Sequence, residues 1–186
     1  MARVQADRTR PAVVKAPNTD NSLYYRGEKD KHRDGLREQL VKLVNDNDFE
    51  GRILAHKTLC TRARGFGPEG WPESDRELRL AREVPGSKSL ASIAQIAAAE
   101  GSLLFEKGDL ESAAFHLKAA LSHLKRCKDL DSLRQFVSSS WKAAEIAHAL
   151  GDTSGAKGHI DRALRVSEEI GDLHKIELSS ARHFLA

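Results

Sequence analysis

The stretch KGDLESAAFHLKAAL (residues 107–121) recurs 43 residues later as LGDTSGAKGHIDRAL (residues 150–164), and this pair decides the fold. The matching positions hold glycine, aspartate, alanine and apolar residues. They are Gly108-Asp109 with Gly151-Asp152, Ala113 with Ala156, Leu117 with Ile160, and Ala120-Leu121 with Ala163-Leu164. Repetition at a fixed interval of this length is typical of stacked helical hairpins.

The repeated residue types are those that a tight helical hairpin requires. Glycine ends a helix readily and an aspartate after it caps the next one, so each Gly-Asp pair predicts a turn. Seven residues before each turn stands a small residue, Gly101 in one copy and Ala144 in the other. Two helices approach closely only where side chains are small, so these residues are expected at helix crossings.

This pattern resembles the tetratricopeptide repeat family, whose usual period is 34 residues. The longer period is similar to that of the repeats in kinesin light chains and LGN-type polarity adaptors, and residues 163–172 carry the closest resemblance. The resemblance covers 89–186 and implies an all-α helical-hairpin array, a solenoid of about two and a half repeats. A third unit would begin at about Leu173 and stop after one helix, 175–186.

The chain before residue 89 divides into three segments. Residues 1–33 are predicted to be an extended arm, because proline and asparagine interrupt any helix there and apolar residues are sparse. Residues 34–64 read as a helical hairpin, with helices over 34–44 and 49–64. We expect this hairpin to stack on the repeats as a divergent first unit.

The third segment, residues 65–88, is a connection rich in glycine and proline. A short helix over 74–83 fits inside it, with Ser74 as N-cap and Glu77 completing a capping box. Trp71 is expected to pack on the body of the protein.

The basic charge of the chain is concentrated in the arm. Residues 1–33 carry eight Lys/Arg and four Asp/Glu, a net charge of +4, whereas the remaining residues sum to −1 in a chain of +3. This imbalance predicts that the arm docks on an acidic partner surface. The candidate docking residues are Arg3, Arg8, Arg10, Lys15, Tyr24, Tyr25 and Arg26. Arg/Lys interleaved with tyrosine also suits phosphates and bases, so a nucleic-acid-associated adaptor is the alternative function.

The resemblance also implies a binding groove for a peptide or helix, lined by the first helix of each repeat. Carried over to this chain, the groove residues are Gln95, Ala98, Ser102, Phe105, Glu106, Ser138, Trp141, Glu145, His148 and Phe184. Aromatic residues are typical anchors of interfaces. For Trp141, a place in the groove and a place in the core are both open.

The end of the chain is a second candidate surface. Ile176, Leu178 and Leu185 put apolar residues on two sides of the last predicted helix, whereas a capping helix should be polar outside. An open end of this kind could receive a partner, a second copy of the chain or the N-terminal arm.

Signatures of chemistry are missing from the sequence. No phosphate loop, nucleophile elbow or zinc-protease motif occurs, and the spaced pairs His56/Cys60 and His116/His123 are too few ligands for zinc. We therefore expect no enzyme, cofactor or metal, and no membrane span or secretory signal. The expected function is a scaffold or adaptor in a larger intracellular, cytoplasmic assembly, with cytoskeletal and ciliary adaptors as the analogy.

Overall fold

The structure, a computed structural model, describes residues 29–85 and 89–171. The arm residues Arg3, Arg8, Arg10, Lys15, Tyr24, Tyr25 and Arg26 lie outside the described residues. So do Ile176, Leu178, Phe184 and Leu185, which belong to the predicted C-terminal surface and groove.

The described part of the chain is all-helical and contains no strand, as the sequence predicts. The helices are α1 Lys29–Asn45, α2 Phe49–Arg64, α3 Trp71–Glu83, α4 Leu90–Glu106, α5 Leu110–Leu124, α6 Leu130–Ala149 and α7 Thr153–Glu169, with a 3₁₀ turn at Gly67–Gly70 before α3.

Two helices begin earlier than the sequence predicts. α1 starts at Lys29 rather than at residue 34, because its first residues include lysine and arginine, which are good helix formers. Arg33 also joins it to α3, where its Nη1 lies 3.0 Å from Glu73 Oε2. α3 starts at Trp71 rather than at Ser74, because Pro72 occupies the first turn, where proline is favoured.

The predicted capping box at Ser74 and Glu77 is wrong. Ser74 is fully buried within α3, and its hydroxyl donates to the carbonyls of Cys60 at 3.1 Å and Gly70 at 3.0 Å. Glu77 is buried against α2, where His56 is its partner. Ser74 and Glu77 have the spacing that predicts a helix start, but in the structure they form buried polar contacts between α2 and α3.

Three of the turns share one geometry. In each of these turns one residue has a positive φ: Asn47 at 52°, Gly108 at 84° and Gly151 at 82°. In the α4–α5 turn the Gly108 amide donates to Phe105 O and the Asp109 amide to Leu104 O, both at 3.0 Å, which is a Schellman end. The aspartate then caps the next helix by accepting from the Ser112 amide. The predicted roles of the Gly-Asp pairs are confirmed.

The helix crossings fall where the small residues predict them. A Cβ on Gly101 would lie 2.8 Å from Leu117 Cγ and 3.1 Å from Ala113 O, so α4 and α5 meet in direct contact there. In the next pair Ala144 of α6 forms a buried cluster with Ala156 and Ile160 of α7. Trp71 packs as expected, against a cluster that includes Cys60 and Leu103.

Neighbouring helices pack in sequence order, and α2, α4 and α6 also form a contacting row. α1 packs on α2, and α3, α5 and α7 each pack on the helix of the row that precedes them. The largest buried cluster lies between α4, α5 and α6 and includes Leu117, Leu124, Phe136 and Ile146.

Two positions of the pair α2–α3 match residues of α5 at the 43-residue spacing. Leu78 of α3 stands 43 residues before Leu121 of α5, which stands 43 before Leu164 of α7. Gly70, 43 residues before Ala113, also marks a close helix crossing, because a Cβ there would lie 1.8 Å from Ala63 O.

Candidate interaction surfaces

The predicted groove residues follow one face of α4 and one face of α6. Gln95, Ser102 and Phe105 of α4 are half-buried, as are Trp141 and Glu145 of α6, whereas Glu106, Ser138 and His148 are exposed and Ala98 is buried. The two helices that carry these residues, α4 and α6, are in contact.

The two aromatic residues are each tied to the core on one side. Phe105 packs against the cluster between α4, α5 and α6, and Lys142 Nζ of α6 lies 5.1 Å from its ring centroid, a cation–π distance. Lys142 in turn pairs with Glu145. Trp141 packs against the cluster of Ala144, Ala156 and Ile160 but stays half-buried, so its ring contributes to both the core and the surface.

The N-terminal part of this face is crossed by Lys57. Its Nζ, on α2, donates to Gln135 Oε1 of α6 at 3.4 Å, which places the side chain across α4. Burial lowers the pKa of Lys57, against an opposing effect of Asp131. The open part of the face therefore lies toward the C-terminal ends of α4 and α6, where Phe105 and Trp141 are found.

A second candidate site is a cleft between α5 and α7, floored by α6, which we call the α5–α7 cleft. Its volume is about 500 Å³. Leu121 and Phe136, both buried, and the half-buried Ala147 supply an apolar floor. The rim is basic, with Lys118 and Lys125 from α5 and His159 and Arg162 from α7.

Few acidic side chains of the described residues lie near this rim. Among the described residues neither lysine forms an ion pair, and Arg162 Nη2 lies 3.1 Å from His159 Nδ1. Asp152 is the acid that lines the cleft, and its carboxylate accepts from the Gly155 amide at 2.8 Å as the cap of α7. Burial lowers the pKa of His159, with Arg162 and Lys125 acting in the same direction and Asp152 opposing them.

A smaller cleft of about 360 Å³ lies between α3 and α5, floored by α4, and we call it the α3–α5 cleft. Two of the basic side chains that line it share one acidic partner. Glu100 of α4 pairs with Arg82 of α3 and, at 3.1 Å, with His116 of α5. Lys107 Nζ lies 2.8 Å from Asp75 at the same edge.

The interior between α2 and α3 holds a buried polar pair. His56 Nδ1 and Glu77 Oε2 lie 2.8 Å apart, and both residues are buried. Burial acts to raise the pKa of Glu77, but hydrogen bonds from His56 and Arg76 outweigh it, so that pKa lies below its ordinary value. Burial raises the pKa of the nearby Cys60 thiol to about 12, which leaves it unreactive as a thiolate at neutral pH.

The metal pairs considered from the sequence are otherwise engaged. His56 bonds to Glu77, and His116 to Glu100. Within residues 29–85 and 89–171 no three His, Cys, Asp or Glu side chains converge as metal ligands would. Cys60 and Cys127 are both free thiols.

The basic rim of the α5–α7 cleft is missing from the sequence-based candidates. Its residues are spread over two helices, and only the packing of those helices brings them together. The repeat spacing does contain a signal. Lys125 stands 43 residues after another basic residue, Arg82, whereas Lys118 stands 43 residues after the acidic Asp75.

Comparison with known proteins returned no match, either among protein-family models or among curated proteins. None of the described helices combines the length and the apolar character that crossing a membrane requires.

Proposed function

We propose that this protein is a non-enzymatic scaffold built as a tetratricopeptide-like repeat array, which binds a helix or peptide of a partner protein on the face shared by α4 and α6. The observation that carries the proposal is the placement of two half-buried aromatic side chains, Phe105 and Trp141, on adjacent helices of that face. Half-buried aromatic rings held by a core are pre-organised for contact, which lowers the entropy cost of binding.

The 43-residue spacing supports an array of three stacked pairs, α2–α3, α4–α5 and α6–α7, with α1 covering the first. This assignment moves the first unit from the predicted hairpin at 34–64 to the pair α2–α3. Three units are the number that such arrays need for stability.

Solvent exposure along the row of α2, α4 and α6 also favours the two later helices for binding. Ala55 and Leu59 of α2, which stand 43 residues before Ala98 and Ser102, are fully buried. On α6 the equivalent positions are the half-buried Trp141 and Glu145. A partner would therefore contact α4 and α6 rather than α2.

Affinity capture tests the proposal. The full-length chain is compared with the double variant Phe105→Ala/Trp141→Ala and with Phe115→Ala, in source lysate with and without nuclease, and bound proteins are quantified by mass spectrometry. Phe115 is the matched control, because its ring is 70% exposed on α5, away from the proposed face. Circular dichroism checks that each variant folds.

The expected result is a set of proteins that survives nuclease, falls about tenfold or more with the double variant and is unchanged by Phe115→Ala. Equal capture by the folded double variant would remove the α4–α6 face as the binding site. Collapse of the captured set with nuclease would favour the nucleic-acid-associated adaptor instead.

A further inference from the structure

The α3–α5 cleft and the α5–α7 cleft are equivalent places one repeat apart. Leu78 lines the first and Leu121 the second, and His116 lines the first as His159 lines the second, each pair separated by 43 residues. The structure therefore offers an internal comparison of two sites with the same construction.

The two clefts differ first in the acidic side chain at their floor. In the first, the carboxylate of Glu100 lies between Arg82 and His116 and pairs with both. In the second, the position 43 residues after Glu100 is Ala143, whereas the nitrogen-bearing side chains on either side remain as Lys125 and His159. The second cleft keeps the hydrogen-bond donors of the first and lacks its carboxylate.

A further change increases the positive charge of the second cleft. Where the first has Asp75, paired with Lys107, the second has Lys118. Arg162 adds another cation from α7. Charge-assisted hydrogen bonds to a carboxylate are the strong kind, and they are stronger still in a cleft with apolar walls.

We propose that the α5–α7 cleft binds an acidic, partly apolar segment of a partner protein, one carboxylate of which takes the place between Lys125 and His159 that Glu100 fills in the preceding cleft. The apolar floor of Leu121, Phe136 and Ala147 would receive a neighbouring aliphatic or aromatic side chain. A volume of about 500 Å³ is in the range of sites that hold several side chains.

The chain's own tails do not fit this role. Residues 1–28 contain five Lys/Arg against three Asp/Glu, and residues 172–186 contain two of each. Neither tail has an excess of carboxylates, so charge complementarity favours a more acidic segment from another polypeptide. The proposal does not depend on the α4–α6 face, because none of the predicted groove residues lines this cleft.

The test uses a random peptide library displayed on phage and selected on the full-length chain. The variant Ala143→Glu, which supplies the carboxylate from within as in the preceding cleft, serves for counter-selection. Enriched peptides are synthesised with a fluorescent label, and their affinities are measured by anisotropy for the wild type, Ala143→Glu, Lys125→Gln and Phe105→Ala/Trp141→Ala.

We expect enriched peptides to carry Glu or Asp beside an aliphatic or aromatic residue. Their affinity should fall about tenfold or more with Ala143→Glu, with Lys125→Gln and with replacement of the peptide's acid by its amide. The affinity should stay unchanged in Phe105→Ala/Trp141→Ala. This double variant separates the two binding proposals, because a peptide whose binding is lost only in this variant occupies the α4–α6 face.

Three outcomes would overturn the proposal. The first is a selection that enriches no acidic peptide, and the second is an acidic peptide that binds Ala143→Glu as tightly as the wild type. The third is displacement of the peptide by a single-stranded oligonucleotide that itself loses affinity with Lys125→Gln, which would make the cleft a phosphate site. Thermal melting of Ala143→Glu confirms that the variant is folded.

Discussion

At the residue scale, Gly101 shows how one missing side chain sets the distance between two helices. A Cβ at this position would lie 2.8 Å from Leu117 Cγ and 3.1 Å from Ala113 O, so α5 would have to move. Gly158 of α7 is also helical, but a Cβ there would meet nothing within 4 Å. The same substitution should therefore have opposite effects at the two positions.

We predict that Gly101→Ala lowers the free energy of unfolding by about 1–3 kcal/mol, the usual cost of overpacking. Gly158→Ala should raise it by up to about 1 kcal/mol, because alanine favours the helix more than glycine does. Urea denaturation followed by circular dichroism measures both. A stabilised Gly101→Ala variant would show that the α4–α5 crossing is looser than the structure has it.

The sequence predicts the structural role of a residue well when the residue's contacts lie with close neighbours along the chain. Gly108 and Asp109 act in a turn whose hydrogen bonds all fall within a few residues, and their predicted roles hold. Ser74 and Glu77 have the spacing of a capping box, yet both are buried. Local spacing cannot distinguish a helix cap from a polar contact with another helix, because the partner of Glu77, His56, lies 21 residues away.

At the element scale, the buried pair His56–Glu77 joins α2 to α3. The positions 43 residues later, which are in the pair α4–α5, are Ala99 and Ala120. The first pair of helices thus has a polar link where the second has two alanines. The pair α2–α3 therefore lacks the repeated alanine at the position of Ala120, and the sequence pattern places the first unit at 34–64.

We predict that His56→Ala lowers the free energy of unfolding by about 1–3 kcal/mol, because it removes one of the two hydrogen-bond partners of the buried Glu77 carboxylate and leaves only Arg76. The double variant His56→Ala/Glu77→Ala should lose less than the single variant, since it removes both polar groups. Urea denaturation at neutral pH measures the two differences. If the double variant lost as much as the sum of its single variants, the two residues would not be coupled.

The same pair predicts a dependence on pH. The pKa of Glu77 in the folded protein lies below its ordinary value of 4.5, so the folded state favours the charged carboxylate. The stabilisation is present above pH 4.5 and is lost as the pH falls through the folded-state pKa. The wild type should lose more stability than the double variant between about pH 5 and pH 3. Equal losses would mean that Glu77 contributes nothing to acid unfolding.

At the scale of the whole molecule, side chains connect helix pairs that the chain separates. Lys57 of α2 reaches Gln135 of α6 at 3.4 Å, and Arg64 of α2 pairs with Glu106 of α4 at 2.9 Å. The repeat predicts that neighbouring pairs stack. It does not predict contacts between the first pair and the third, or the clefts between α3, α5 and α7, because these depend on how far the stack curves.

The two tryptophans of the chain report on how firmly these pairs are joined. Trp71 lies in α3 of the first pair and Trp141 in α6 of the third, and each packs against a different buried cluster. In the single-tryptophan variants Trp141→Phe and Trp71→Phe, fluorescence follows the first and the third pair separately. We predict coincident urea transitions, because one pair of helices buries too little apolar surface to stay folded alone. An earlier transition at Trp141 would instead show that α6–α7 unfolds independently, and that the contact of Lys57 with Gln135 does not couple α2 to α6.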